Sequence, residues 1–174
     1  MINDYLSPQW TTNNRVINLE IYLEHIDRSS REYILQHHHE LLPDWISIPE
    51  TIVFILFQCR IPLDGSNLSE EETEKEMLWE ISLQVGKQFY QSCRSQNIMA
   101  EVICPKTGYP LYSQKGSKNF HLSPLITRYI PSFKQDVHSC SLIHPRWQKA
   151  VYPSIMFSNT SGDKTRQLIM DCWK

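Results

Sequence analysis

The residues best suited to chemistry lie between Asp136 and Asn159, in DVHSCSLIHPRWQKAVYPSIMFSN. The stretch reads as two short strands around a Trp-containing turn. Cys140 sits in the first strand, between His138 and His144. Strand side chains alternate faces, so His138, Cys140 and His144 would share one face, with Leu142 between them. A thiol near imidazoles can ionise at neutral pH and act as a nucleophile or a soft metal ligand. Asp136 lies two residues further along the same face. A buried strand cysteine is more often a small hydrophobe, so both readings stand. Cys140 with His144 also fits a cysteine hydrolase, but the sequence shows neither an oxyanion donor nor a third group.

Other candidates are weaker. His37, His38 and His39 splay by about 100° per residue on a helix and lack the i,i+4 spacing of helical metal pairs. A partly exposed helix face is the expectation. The acidic run Glu70 to Glu76 reads as a solvated helix start, where the helix dipole favours negative charge. Trp45, Trp79 and Trp147 read as core or interface anchors. None of the five glycines forms a GxGxxG or Walker pattern, and GxSxG is missing. The familiar nucleotide-binding routes are therefore not indicated, while flavin sites need no such motif.

The positioning elements follow from periodicity. Residues 1–14 are polar and are expected to form an irregular arm, leaving 15–174 as a single α+β domain. In Val16 to Glu24, Ile17, Leu19, Ile21 and Leu23 alternate with polar residues, which predicts a half-buried strand. Ser29 with Glu32 suggests a capping box opening a helix that ends near Leu42, before Pro43. TIVFILFQC, from Thr51 to Cys59, suits a central strand buried on both faces. Ser69 with Glu72 suggests a second capping box, opening a helix to about Ser95 with Leu78, Ile81, Val85 and Phe89 as its apolar stripe. Gly86 inside it costs roughly 1 kcal/mol against Ala; close packing on the sheet would explain it. Ile98 to Cys104 reads as a strand, and PKTGYP as a hairpin turn before a return strand at Leu111 and Tyr112. A helical turn is expected around Leu125 to Tyr129, and a closing helix over Gly162 to Trp173. The fold class expected is α+β, a mixed sheet with packed helices.

Composition sets further bounds. A net charge of −2 with no basic run argues against a nucleic-acid surface. The longest apolar stretch, Ile52 to Phe57, is too short to span a membrane. Five widely spaced cysteines without a CxxC pair favour free thiols in a reducing compartment. MINDYLSPQW has no basic start or apolar core, and no Arg/Ser-rich presequence follows. A cytoplasmic location is expected over a mitochondrial one.

ELLPD (Glu40 to Asp44), TIVFILFQ, the acidic-capped helix, EVICPKTGYPLY, and DVHSC followed by Trp147 and SIMFSN occur in one order at near-constant spacing. Together they resemble the vitamin B12 trafficking proteins of the cobalamin D type, the methylmalonic aciduria and homocystinuria type D family. The likeness runs from about residue 16 to 170. It implies a sheet-and-helix fold like the flavin nitroreductases, without a working flavin site. It also implies a non-enzymatic adaptor that binds no cofactor alone. Such an adaptor docks on a cobalamin-processing type C-like protein and helps direct cobalamin to methionine synthase or methylmalonyl-CoA mutase. Family members bond a cysteine to the cobalt of partner-held cobalamin, so the implied ligand candidate is Cys140. His138 is the supporting residue and Ser139 the register alternative. Animal members carry two adjacent cysteines, and ungapped alignment from Gly108 sets Ser139 opposite the first, the cobalt ligand. One residue fewer separates Cys140 from Trp147. Either Cys140 takes the role, or ligation is lost and docking kept. The family's N-terminal extension with its mitochondrial targeting part has no counterpart here, which weakens the mitochondrial branch. The rival reading is a flavin-dependent reductase of nitroreductase type.

Overall fold

The computed structural model describes residues 4–27 and 32–173. The chain forms a mixed α+β architecture with helices on both faces of one twisted sheet. The elements, in order, are β1 (Asp4–Leu6), β2 (Gln9–Thr12), β3 (Arg15–His25), α1 (Tyr33–Leu41), β4 (Thr51–Gln58), α2 (Leu68–Ser95), β5 (Ala100–Ile103), α3 (Leu122–Tyr129), β6 (Lys134–Gln135), β7 (Leu142–Ile143), β8 (Val151–Ser158) and α4 (Gly162–Asp171).

The main sheet runs β1-β3-β4-β8-β5, with β2 sharing the β3 edge beside β1. Every pairing among the described strands is antiparallel, which corrects the expected mixed sheet. The α2 crossover does join two strands of the same direction, β4 and β5. The last strand, β8, lies between them and pairs antiparallel with both. The expected irregular arm also differs: residues 4–6 and 9–12 pair with β3. Trp10 anchors this edge, meeting Trp173 edge-on with ring centroids 5.7 Å apart.

The β3 alternation and the doubly buried β4 are both present. Ile17, Leu19, Ile21 and Leu23 join Val53, Ile55 and Phe57 beneath α2 and α4. Ile52, Phe54 and Leu56 face the opposite layer, with Phe120, Leu125 and Ile126. The apolar stripe of α2 is buried as expected. Its Gly86 touches the sheet: a Cβ there would stand 2.7 Å from Val102 Cγ1.

The helix starts differ from the capping-box expectations. Ser29 lies outside the described residues. The α1 cap is Glu32, whose carboxylate accepts from Leu35 N at 2.9 Å. The α2 cap is Asn67, not Ser69, accepting from Glu70 N at 3.3 Å. The return strand after PKTGYP shortens to an Ile103–Pro110 bridge. Buried Glu101 accounts for this, since its Oε1 takes the Val102 N–H at 3.0 Å, the donor a continued ladder would give to Leu111, and also the Tyr112 N–H at 2.9 Å. Gly108 adopts φ +73° as the turn requires. Among the described residues no helix is long and apolar enough to cross a membrane.

Candidate functional site

Asp136 builds the loop that carries Cys140. Its Oδ1 accepts from His138 N at 2.8 Å and Ser139 N at 3.0 Å. Its carbonyl accepts from Cys140 N at 3.0 Å, and its own N–H donates to Ser141 O. These bonds close a turn where a strand was expected, which corrects the shared-face reading. Cys140 has φ +57° and occupies the connection between β6 and β7, two residues before Leu142. Side chains on a turn fan outward instead of alternating. Val137, His138, Ser139 and Cys140 are accordingly all exposed. Ser139 and Cys140 are therefore both open to solvent, and Ser139 Oγ lies 2.8 Å from Ser141 Oγ. Lys149 Nζ pairs with Asp136 Oδ2 at 2.7 Å. That bond, with the two loop amides, holds the Asp136 carboxyl well below the usual carboxylate range.

Cys140 borders an open groove of about 440 Å³ at the end of β5 and the start of β8. Lys106 and Gly108 form one wall, the start of α3 another, and Gln135 and Tyr152 contribute to the lining. Lys106 is itself held by Glu76 at 2.6 Å and lies 3.8 Å over the Trp79 ring. The other cysteines are placed differently. Cys59, Cys93 and Cys104 are buried and Cys172 is partly buried. Burial pushes the Cys59 and Cys93 thiols up to about 12.

His144 belongs to a separate, buried cluster. Its Nε2 lies 2.6 Å from Glu20 Oε2, and its Nδ1 accepts from both Arg146 N and Trp147 N at 3.0 Å. An Nδ1 that accepts two N–H groups carries no proton, so the ring is neutral and Nε2–H donates to Glu20. Burial lowers its pKa to about 4. Trp147 stacks on the ring at 4.0 Å and Phe133 meets its edge at 5.0 Å. Arg146 also bonds Glu20, from an exposed position. With both ring nitrogens engaged, His144 is not available as a base for Cys140, which removes the geometric ground for the hydrolase reading. Sequence reasoning missed Glu20, which alternation assigned to the polar face of β3. The only signal for it was a carboxylate opposite an apolar layer.

The three consecutive histidines diverge. His37 bonds Glu40 and Lys118 at 3.0 Å each, His38 is buried with Nε2 unpartnered, and His39 is exposed. Among the described residues no group of three His, Cys, Asp or Glu side chains is placed to hold a metal ion. The acidic run is only partly solvated. Buried Glu71 accepts from Asp64 N at 2.7 Å and Gly65 N at 2.8 Å. Glu74 binds Arg15 through both oxygens and also takes Arg60 N at 2.7 Å. These carboxylates fasten the α2 approach and the β3 start to the helix.

No family model and no curated protein matches the chain.

Proposed function

We propose that the chain is a non-enzymatic adaptor in cobalamin trafficking that docks on a cobalamin-processing type C-like protein. The observation that carries this reading is the exposed thiol of Cys140, held outward on the Asp136 turn, within the DVHSC block on which the family resemblance rests. A thiolate is a strong soft ligand and suits a metal at a handover step. The adjoining groove of about 440 Å³ is far smaller than a corrin ring with its nucleotide loop. The cofactor would therefore be carried by the partner, with Cys140 reaching its cobalt from outside. His138, exposed on the same turn, is the supporting residue. Ser139 shares the loop and is the alternative position for a ligand. Methionine synthase is the downstream acceptor in this reading, and the location is cytoplasmic. Kinship with the flavin nitroreductase fold belongs to the same proposal, supported by a sheet layered between helices.

The test mixes the chain with a cobalamin-loaded type C protein and records co-elution and the visible spectrum. Co-elution with a cobalt–thiolate spectrum that Cys140→Ala abolishes is the expected result. A shared peak with an unchanged spectrum would remove ligation and keep docking. Ser139→Cys would then show whether a thiol one residue earlier restores the bond. Failure to co-elute would overturn the docking claim. Yellow protein that retains flavin mononucleotide would instead favour the reductase reading.

A further inference from the structure

A second cavity, of about 200 Å³, opens at the outer edge of β5. Glu101 lines it while only 1% exposed. Its Oε1 serves the fold by taking the Val102 and Tyr112 N–H groups. Its Oε2 accepts from no described residue, and no described cation pairs with the carboxylate. Burial raises its pKa accordingly. A glutamine would cap the sheet edge as well without burying a charge, so a carboxylate with one oxygen free calls for a cation. A second buried group on the lining is unmatched. Ser113 Oγ approaches the same carboxyl closely enough to favour its charge, yet no described group stands at hydrogen-bond distance from it. Such an atom calls for a partner. Arg94 also lines the cavity, 5.9 Å over the Tyr90 ring, and pairs with no described carboxylate. Glu101 and Arg94 thus bring opposite charges to one cavity without meeting. Trp45, Met99 and Tyr112, the last stacked on Tyr90 at 3.9 Å, supply apolar and aromatic walls.

We propose that this cavity binds a free α-amino acid with a small apolar side chain. Glu101 Oε2 and Ser113 Oγ take the ammonium, Arg94 takes the carboxylate, and the side chain packs on Trp45 and Met99. A zwitterion carries both charges that the lining leaves unmatched. A plain carboxylate would leave Glu101 buried without a cation, and a plain amine would leave Arg94 unpaired. The ammonium also gains from the aromatic walls. About 200 Å³ lies below the range of drug-sized pockets and suits a molecule the size of valine or leucine. The cavity shares no lining residue with the Cys140 groove, so the proposal stands apart from the adaptor reading.

The test is isothermal titration of the full chain, without cobalamin or partner, with L-valine, L-leucine, isopentylamine and 4-methylpentanoate. The last two are leucine without its carboxylate and without its ammonium. An amino acid should bind, isopentylamine about two- to five-fold more weakly, and 4-methylpentanoate not at all. Glu101→Gln keeps the acceptor for both N–H groups and removes the buried charge. It should weaken amino-acid binding at least about tenfold, while the urea midpoint without ligand stays at or above that of the native chain. Arg94→Gln should weaken amino-acid binding by about two- to five-fold and leave isopentylamine unchanged. Ser113→Ala removes an unpaired hydroxyl and should cost about two- to ten-fold in affinity; it decides the matter if Glu101→Gln lowers the midpoint. No binding of either amino acid, isopentylamine or 4-methylpentanoate binding as tightly as leucine, or affinity that a folded Glu101→Gln or Ser113→Ala leaves intact would overturn the proposal.

Discussion

At the residue scale, the contrast among the cysteines is the most direct consequence of the fold. Cys140 is exposed, whereas Cys59 and Cys93 are buried in the layer beneath α2. Alkylation requires the thiolate and access to it. Iodoacetamide added to the native chain at pH 8 should therefore modify Cys140 first and leave Cys59 and Cys93 protected until denaturant is added. Peptide mapping across the reaction checks the order, and early loss of Cys93 would contradict the packing. Asp136 supports a second expectation. Its carboxyl is depressed in the folded chain, chiefly by the Lys149 hydrogen bond and then by the His138 and Ser139 amides. A depressed carboxyl contributes stability above its unfolded pKa and loses it as pH falls through the folded value. The Cys140 loop should thus stay ordered through mildly acidic pH and loosen only well below the ordinary carboxylate range. Asp136→Ala should speed hydrogen exchange of the His138 and Ser139 amides at neutral pH, relative to the native chain, in which both bond to the Asp136 carboxylate.

At the scale of elements, close approach of helix and sheet sets what α2 tolerates. Gly86 is buried against Val102, whose Cγ1 would lie 2.7 Å from an added Cβ. Alanine ordinarily gains roughly 1 kcal/mol over glycine inside a helix. Here Val102 is β-branched and stiff, so Gly86→Ala should destabilise by about 1–3 kcal/mol. Val102→Ala removes the obstructing methyls, and the double variant should be more stable than the two single losses predict. Urea unfolding of the four proteins measures that coupling, and additive losses would show that the contact carries no strain. The Gly86 contact was legible because a glycine inside a strong apolar stripe needs a local reason. So were β3 and β4, whose spacing is repeated over several residues of their own sequence. The segment 136–144 was not. Its alternation competed with one side chain, Asp136, that captures two backbone N–H groups, and β7 keeps only Leu142 and Ile143. The helix caps failed for a related reason. Asn67 and Ser69 are both good cap residues, and local sequence does not decide between them.

At the scale of the whole molecule, one buried polar tie joins distant parts of the chain. Glu20 and His144 are 124 residues apart, so no local pattern could announce their pairing. Tyr22 Oη also donates to Glu20, at 3.0 Å. The tie fixes the HPRW turn to the β3 strand, and through β7, which immediately precedes His144, it restrains the loop bearing Cys140. Its pH dependence has a definite sign. The folded pKa of His144, about 4, lies below the ordinary value of 6.5. Between those values the unfolded chain binds a proton that the folded chain does not, so folding is progressively opposed as pH falls. The contribution is complete above about pH 6.5 and is lost on approach to pH 4. Loss of about 1–3 kcal/mol across that window is expected in the native chain. His144→Ala would leave the Glu20 carboxylate short of a partner in an apolar layer, at a cost of about 2–4 kcal/mol at pH 7, and the variant should show a flatter pH profile. Glu20→Gln keeps a hydrogen-bond acceptor for Nε2–H and leaves His144 neutral, so it should be milder and retain most of the pH slope. Equilibrium unfolding of the three proteins between pH 4 and 8 decides the matter. A native profile as flat as that of His144→Ala would mean that His144 is not the group whose neutrality the fold requires.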